Sequence, residues 1–132
     1  MALQKYIVSK DDSIYEAWPD IALTKSGNLI CVFSECEHHG NRDNARIVYC
    51  HSLDRGNTWS KKTALTKKGT KEEFFNCARI CVMPDDSLII VADYIFLTKT
   101  IKHRHLYGNR LMTALHGKDL LTIPHRELFR IR

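Results

Sequence analysis

The sequence predicts an all-β fold made of small, repeated antiparallel sheets. Three observations carry this expectation: pairs of apolar runs joined by turn residues, the return of one such pair 59 residues later, and a polar loop at residues 52–59 between two strand-like runs. A small sheet exposes two faces, so repeated hairpins imply a radial or stacked architecture in which neighbours cover one another.

Met1–Ser13 holds one short apolar run, Tyr6-Ile7-Val8, which reads as an edge strand followed by a polar loop. The first hairpin is Pro19–Thr24, the turn Lys25-Ser26-Gly27-Asn28, and Leu29–Ser34. A loop over residues 35–44 precedes a third strand at 45–51, and a fourth is expected at 59–65. The hairpin then returns as strands at 78–83 and 88–96 around the turn Pro84-Asp85-Asp86-Ser87. Ile21 matches Ile80, Leu23 matches Val82, Leu29 matches Leu88 and Val32 matches Val91, each pair 59 residues apart.

With 132 residues and 44% hydrophobic content, the chain can bury a core of ordinary domain size. Its longest apolar runs, Leu29–Phe33 and Leu88–Ala92, are too short to span a bilayer as helices, and Met1-Ala2-Leu3-Gln4-Lys5 leads into no apolar leader. A cytoplasmic location with no membrane partner is the expectation. The five cysteines, Cys31, Cys36, Cys50, Cys77 and Cys81, form no Cys-x-x-Cys pair, which argues against a zinc knuckle or a disulfide scaffold. Cys31, Cys50 and Cys81 lie in alternating apolar runs and read as small buried hydrophobes.

The net charge of +5 is uneven. Residues 99–132 carry eight Lys/Arg against Asp119 and Glu127, so the basicity belongs to that segment and residues 1–98 sit near −1. The stripe Lys99, Lys102, His103, Arg104, His105 and Arg110 lacks interleaved aromatics and any recognisable nucleic-acid module, so no nucleic-acid partner is expected. Residues 1–98 are thus read as the β unit, and 99–132 as a basic segment of unassigned structure.

In the loop at 52–59, Asp54 can accept backbone N–H groups, Gly56 can take positive φ, and Ser52 and Thr58 can bind their hydroxyls into the same turn. With Trp59 in place, Ser52-Leu53-Asp54-Arg55-Gly56-Asn57-Thr58-Trp59 resembles the Asp-box of sialidases and related propellers. In that family the box is a folding element between the third and fourth strands of a blade, remote from the sugar pocket. The resemblance to the sialidase-like glycoside hydrolase superfamily extends over residues 13–98 through Tyr15–Ile21, Gly27–Phe33, Arg46–Tyr49, Phe75–Ile80 and Asp86–Val91. It implies sialidase-like β-propeller blades, about two of them, incomplete for a closed six-bladed propeller.

The resemblance also implies chemistry on a terminal, acidic sugar: an arginine cluster for the carboxylate, an aspartic acid as acid/base, and a tyrosine nucleophile activated by a glutamate. A planar guanidinium meets a carboxylate bidentately, and a neutral tyrosine avoids repulsion by an anionic sugar. Arg79 matches an arginine of an innermost strand and is a substrate-binding candidate. Asp43 lies where the acid/base aspartate is expected, with Asn44 aligning as well. Glu35 and His39 are further substrate-binding candidates. Asp20 replaces the arginine expected near Pro19-Ile21. Tyr15 and Tyr94 receive no nucleophile role, because the family draws that pair from late blades. Glu35, Glu37, His38, His39 and Asp43 lack the His spacing of a metal motif, so neither metal nor cofactor is expected. The competing reading is a non-catalytic, carbohydrate-binding or structural propeller fragment; on either reading, self-association through exposed strand edges is expected.

Overall fold

The computed structural model describes residues 5–96 and 107–115. It is all-β, with strands β1 (Tyr15–Leu23), β2 (Leu29–Cys36), β3 (Arg46–Ser52), β4 (Thr63–Ala64), β5 (Glu73–Val82), β6 (Leu88–Phe96) and β7 (Tyr107–Leu115). The strands form two antiparallel sheets, β1-β2-β3-β4 and β5-β6-β7. Each follows sequence order from one edge to the other, an antiparallel meander of the kind that propeller blades use.

The 59-residue repeat is present in the backbone as well as in the apolar pattern. Pairing of β1 with β2 slips between Ala17 and Asp20, and pairing of β5 with β6 slips between Asn76 and Arg79. Trp18 (φ 54) and Cys77 (φ 50) are the strained residues of these two bulges, 59 positions apart. The two turns also match, with Gly27 at φ 86 and Asp86 at φ 68. The bulge explains why β1 and β5 start earlier than the expected 19 and 78. Pro19 interrupts the apolar run, but it lies where the ladder is already broken, so its missing N–H forfeits no pairing.

The expected strand at 59–65 shrinks to Thr63–Ala64. Ser60 replaces part of the ladder, with its N–H donating to His51 O (2.8 Å) and its Oγ accepting from His51 N (3.0 Å). The second sheet continues past residue 98, because β7 pairs with β6 from Phe96↔Tyr107 to Leu88↔Leu115. The basic residues Lys99, Lys102, His103, Arg104 and His105 lie outside the described residues.

One face of the first sheet and one of the second share a core. Ala22, Ile30, Val32, Ile47 and Tyr49 pack against Ala78, Ile80, Leu88, Ile90 and Ala92. Backbone N–H groups near the second bulge cross to the first sheet: Ile80 N donates to Asp20 Oδ2 (3.0 Å) and Cys77 N to Ser34 Oγ (3.1 Å). At the turns, Lys25 N donates to Asp86 Oδ1 (3.0 Å), and Lys25 Nζ reaches Pro84 O. The other face of the first sheet carries Cys31, Phe33, Val48 and Cys50 under Val8 and Trp59.

Cys31 and Cys50 are buried as expected, but Cys81 is exposed. Neighbouring residues on a strand point to opposite faces, and Ile80 takes the face that meets the first sheet, so Cys81 points away. Ile47, 1% exposed between the sheets, tests this shared core. Ile47→Ala is expected to lower stability by about 2–5 kcal/mol, read from the urea midpoint at unchanged slope.

Candidate functional site

The loop between β2 and β3 and the first residues of β1 meet at one end of the first sheet, since Tyr15 pairs with Cys36. The Glu37 carboxylate organises that loop: Oε2 accepts from Asn41 Nδ2 (2.9 Å) and Oε1 from Asn44 Nδ2 (2.6 Å). Asn44 tolerates its φ of 59 in this setting, and Asn44 N donates to Gly69 O (3.1 Å), which leans the loop on the segment leading to β5. Asp43 N donates to Asn41 Oδ1 (3.1 Å), while the half-exposed Asp43 carboxylate has Lys71 Nζ at 3.8 Å.

The exposed His39 meets the start of β1, with Nδ1 3.0 Å from Tyr15 Oη and its ring 5.3 Å from the Tyr15 ring and 6.1 Å from Trp18. Arg42 places its guanidinium 4.3 Å from the Trp18 ring centre, a cation–π contact, and donates from Nη1 to Cys36 Sγ (3.5 Å). Sequence reasoning gave Trp18 and Arg42 no role and considered Tyr15 only as a nucleophile, a role it withheld. The available signal was Trp18-Pro19 at a break in the alternation, which marks the bulge that turns the indole toward this loop.

Arg79 lies on β5 just beyond the second bulge, exposed, with Nη1 donating to Ala78 O (2.9 Å). Its counterpart Asp20 accepts from Ile21 N (3.0 Å) through Oδ1 and from Ile80 N through Oδ2. One repeat position therefore presents a free-reaching cation, while the other joins the two sheets.

Glu35 is buried, with Arg46 Nε 2.5 Å from Oε1 and Lys62 Nζ 2.9 Å from Oε2. Oε2 has no aligned hydrogen bond, so its contact with Lys62 is ionic. Burial acts to raise the Glu35 carboxyl, but Lys62 and Arg46 outweigh it and hold the group below its ordinary range. Lys62 also binds Glu16 Oε1 (2.7 Å) and Asp11 Oδ2 (3.2 Å), tying the segment before β1 to the sheet. Burial alone would lower the Lys62 ammonium; its three carboxylates raise it instead. Tyr94 donates to Glu73 Oε1, and burial together with Glu73 pushes its phenol up to about 12, which holds the proton on the oxygen. Among the described residues no three His, Cys, Asp or Glu side chains gather as metal ligands.

The loop at 52–59 sits beside β3, away from the loop at 37–45. Ser52 Oγ donates to Asp54 Oδ1 (2.7 Å) and accepts from Gly56 N (2.7 Å). Asp54 accepts from Thr58 N (2.8 Å) and Thr58 Oγ1 (2.6 Å), and Trp59 Nε1 donates to Gly56 O (3.1 Å). Gly56 is at φ 93, and an added Cβ would lie 3.3 Å from Leu29 Cδ1, so both conformation and space select glycine. The Thr58 hydroxyl, the Thr58 N–H and the Ser52 hydroxyl lower the Asp54 carboxyl from 3.8 to about 2.

No family model and no curated protein matches the chain. Among solved structures, it is similar to a protein of unknown function from Dyadobacter fermentans DSM 18053, with 13% identity and a TM-score of 0.66 over 82% of this chain and 35% of that one. It is also similar to the Hadza microbial sialidase Hz136, with 18% identity and a TM-score of 0.58 over 80% of this chain and 23% of that one. The chain thus spans about a third and about a quarter of these two proteins. At such identities the likeness concerns the fold, which is all-β and propeller-like. No helix among the described residues is long and apolar enough to cross a membrane.

Because Asp54 titrates lower in the folded chain than unfolded, its contribution is complete above about pH 4 and lost as pH falls toward 2. Asp54→Ala is expected to lower the thermal midpoint at pH 7 and to flatten its fall between pH 5 and 2. Equal midpoints for both proteins across that range would contradict the assignment.

Proposed function

We infer that the chain supplies part of a sialidase-like sugar site and holds the carboxylate of a terminal acidic sugar through Arg79. The observation that carries this reading is the exposed guanidinium beyond the β5 bulge, which donates only from Nη1 to Ala78 O among the described residues. Its remaining N–H groups form the planar fork that meets a carboxylate bidentately. Asp43, in the loop that leans on the segment before β5, is the acid/base candidate for the same sugar, and His39 a hydrogen-bonding neighbour. Glu35 would act only indirectly, by fixing Arg46 beneath the loop.

A non-catalytic binding role is favoured by Asp20. At the first bulge, where the resemblance leads one to expect a second clamp arginine, its carboxylate is held by Ile21 N and Ile80 N. Tyr94, although it donates to Glu73, is given no nucleophile role, because the resemblance draws the tyrosine and its glutamate from later blades. Binding without turnover is therefore the function proposed for these two sheets, within a lineage of acidic-sugar hydrolases.

Titration of the chain with a sialoside is expected to show saturable binding, weakened about ten-fold or more in Arg79→Ala, in keeping with a lost charge-assisted pair of about 1.5–3 kcal/mol. No binding by the wild type would overturn the reading. Hydrolysis of a fluorogenic sialoside, abolished in Asp43→Asn, would replace binding by catalysis as the function of the chain.

A further inference from the structure

The repeat identifies which surface each sheet uses to meet its neighbour. Ile80, Leu88, Ile90 and Ala92 of the second sheet are buried against the first. Their counterparts 59 residues earlier are Ile21, Leu29, Cys31 and Phe33, on the face of the first sheet that points away from the second. Val8 and Trp59 cover the Cys31–Phe33 part of that face. The β1 part is open: Ile21 is 51% and Leu23 61% exposed, against 8% for Ile80.

The second sheet has the complementary surface. Ala22, Ile30 and Val32 are the first-sheet residues that receive it, and their counterparts are Cys81, Ile89 and Val91. Cys81 is exposed, and Ile89 and Val91 are half-buried, where Ile30 and Val32 are closed off. Ser34, which accepts from Cys77 N, has as its counterpart Asp93, again a residue with acceptor oxygens. The chain therefore carries both halves of its own internal sheet-to-sheet interface, one on each outward face.

We propose that a second copy of this chain covers the open face, so that Cys81, Ile89 and Val91 of one copy pack on Ile21 and Leu23 of the next. The contact joins two different surfaces and is heterologous: copies add head to tail, into a ring if the rotation closes and into a filament if it does not. It differs from edge-to-edge strand pairing, because side chains of two sheet faces make it and backbone edges do not. It does not depend on the sugar-binding reading.

Two variants at exposed positions test the direction of assembly. Ile21→Lys/Leu23→Lys blocks one surface, and Cys81→Lys blocks the other without filling a buried site. Sedimentation velocity under reducing conditions is expected to show the wild type as a concentration-dependent species heavier than the monomer, and each variant alone as monomer. Mixed in equal amounts, the variants are expected to form a one-to-one dimer, because each retains the surface the other has lost. Circular dichroism of each variant, matching the wild type, verifies that the sheets persist; if Cys81→Lys unfolds, Cys81→Glu replaces it. A wild type that stays monomeric at about 0.1 mM, well above a micromolar Kd, would overturn the proposal. So would a mixture that remains monomeric while each variant is folded.

Discussion

The structure depends on a sheet-to-sheet contact that neither sheet could replace alone. A three- or four-stranded sheet with apolar residues on both faces leaves one apolar face in water unless a neighbour covers it. Here Leu88, Ile90 and Ala92 supply one stripe and Ile30, Val32 and Ile47 the facing one. β5 is an edge strand of its sheet, and two of its backbone donors, Cys77 N at the bulge and Ile80 N just beyond it, are received by Ser34 and Asp20 of the first sheet. Apolar burial draws the sheets together without direction; these two hydrogen bonds fix the offset at which they meet.

The same bulge shapes the candidate site. Trp18 and Cys77 both accept a left-handed φ that side chains avoid, and they do so at equivalent places. Strain that recurs in both sheets belongs to the architecture and is no evidence of chemistry by itself. What the bulge does is re-aim the residues around it: Trp18 turns toward Arg42 and His39, and Arg79 emerges into solvent. Chemistry then enters through residue type, with a cation at one repeat position and a sheet-joining carboxylate at the other.

Much of this arrangement was legible in the sequence because it is local or periodic. Alternation placed β2, β3 and β6 within a few residues, and Ser52, Asp54, Gly56 and Trp59 specify a loop whose hydrogen bonds close within eight residues. The contacts that were not legible join distant parts of the chain. Lys62 sits in the polar run Ser60-Lys61-Lys62-Thr63 and looks like a solvated lysine, yet tertiary folding places it among Asp11, Glu16 and Glu35. Glu35 follows an apolar strand and reads as a loop carboxylate, but β2 extends through Cys36 and carries it inside. Cys81 fits the apolar alternation, and only the identity of the sheet that covers Ile80 shows which face stays open.

The Glu35 cluster also shows how a charge can serve order more than stability. Withdrawing a carboxylate from water is costly, and the attraction to Arg46 and Lys62 does little more than offset that cost, so an apolar trio of similar volume would hold the sheet about as well. An apolar trio would not distinguish among partners. Lys62 can neutralise Glu35 and still bind Glu16 and Asp11 only if the segment before β1 lies in one position, and Ser9 Oγ reinforces that position by donating to Glu16 Oε1 (2.8 Å). With that segment fixed, Val8 covers Cys31 and Phe33 but stops short of Ile21 and Leu23. The boundary between the covered and open parts of this face is thus set by electrostatics, and it leaves uncovered the counterpart of the residues through which the second sheet meets the first.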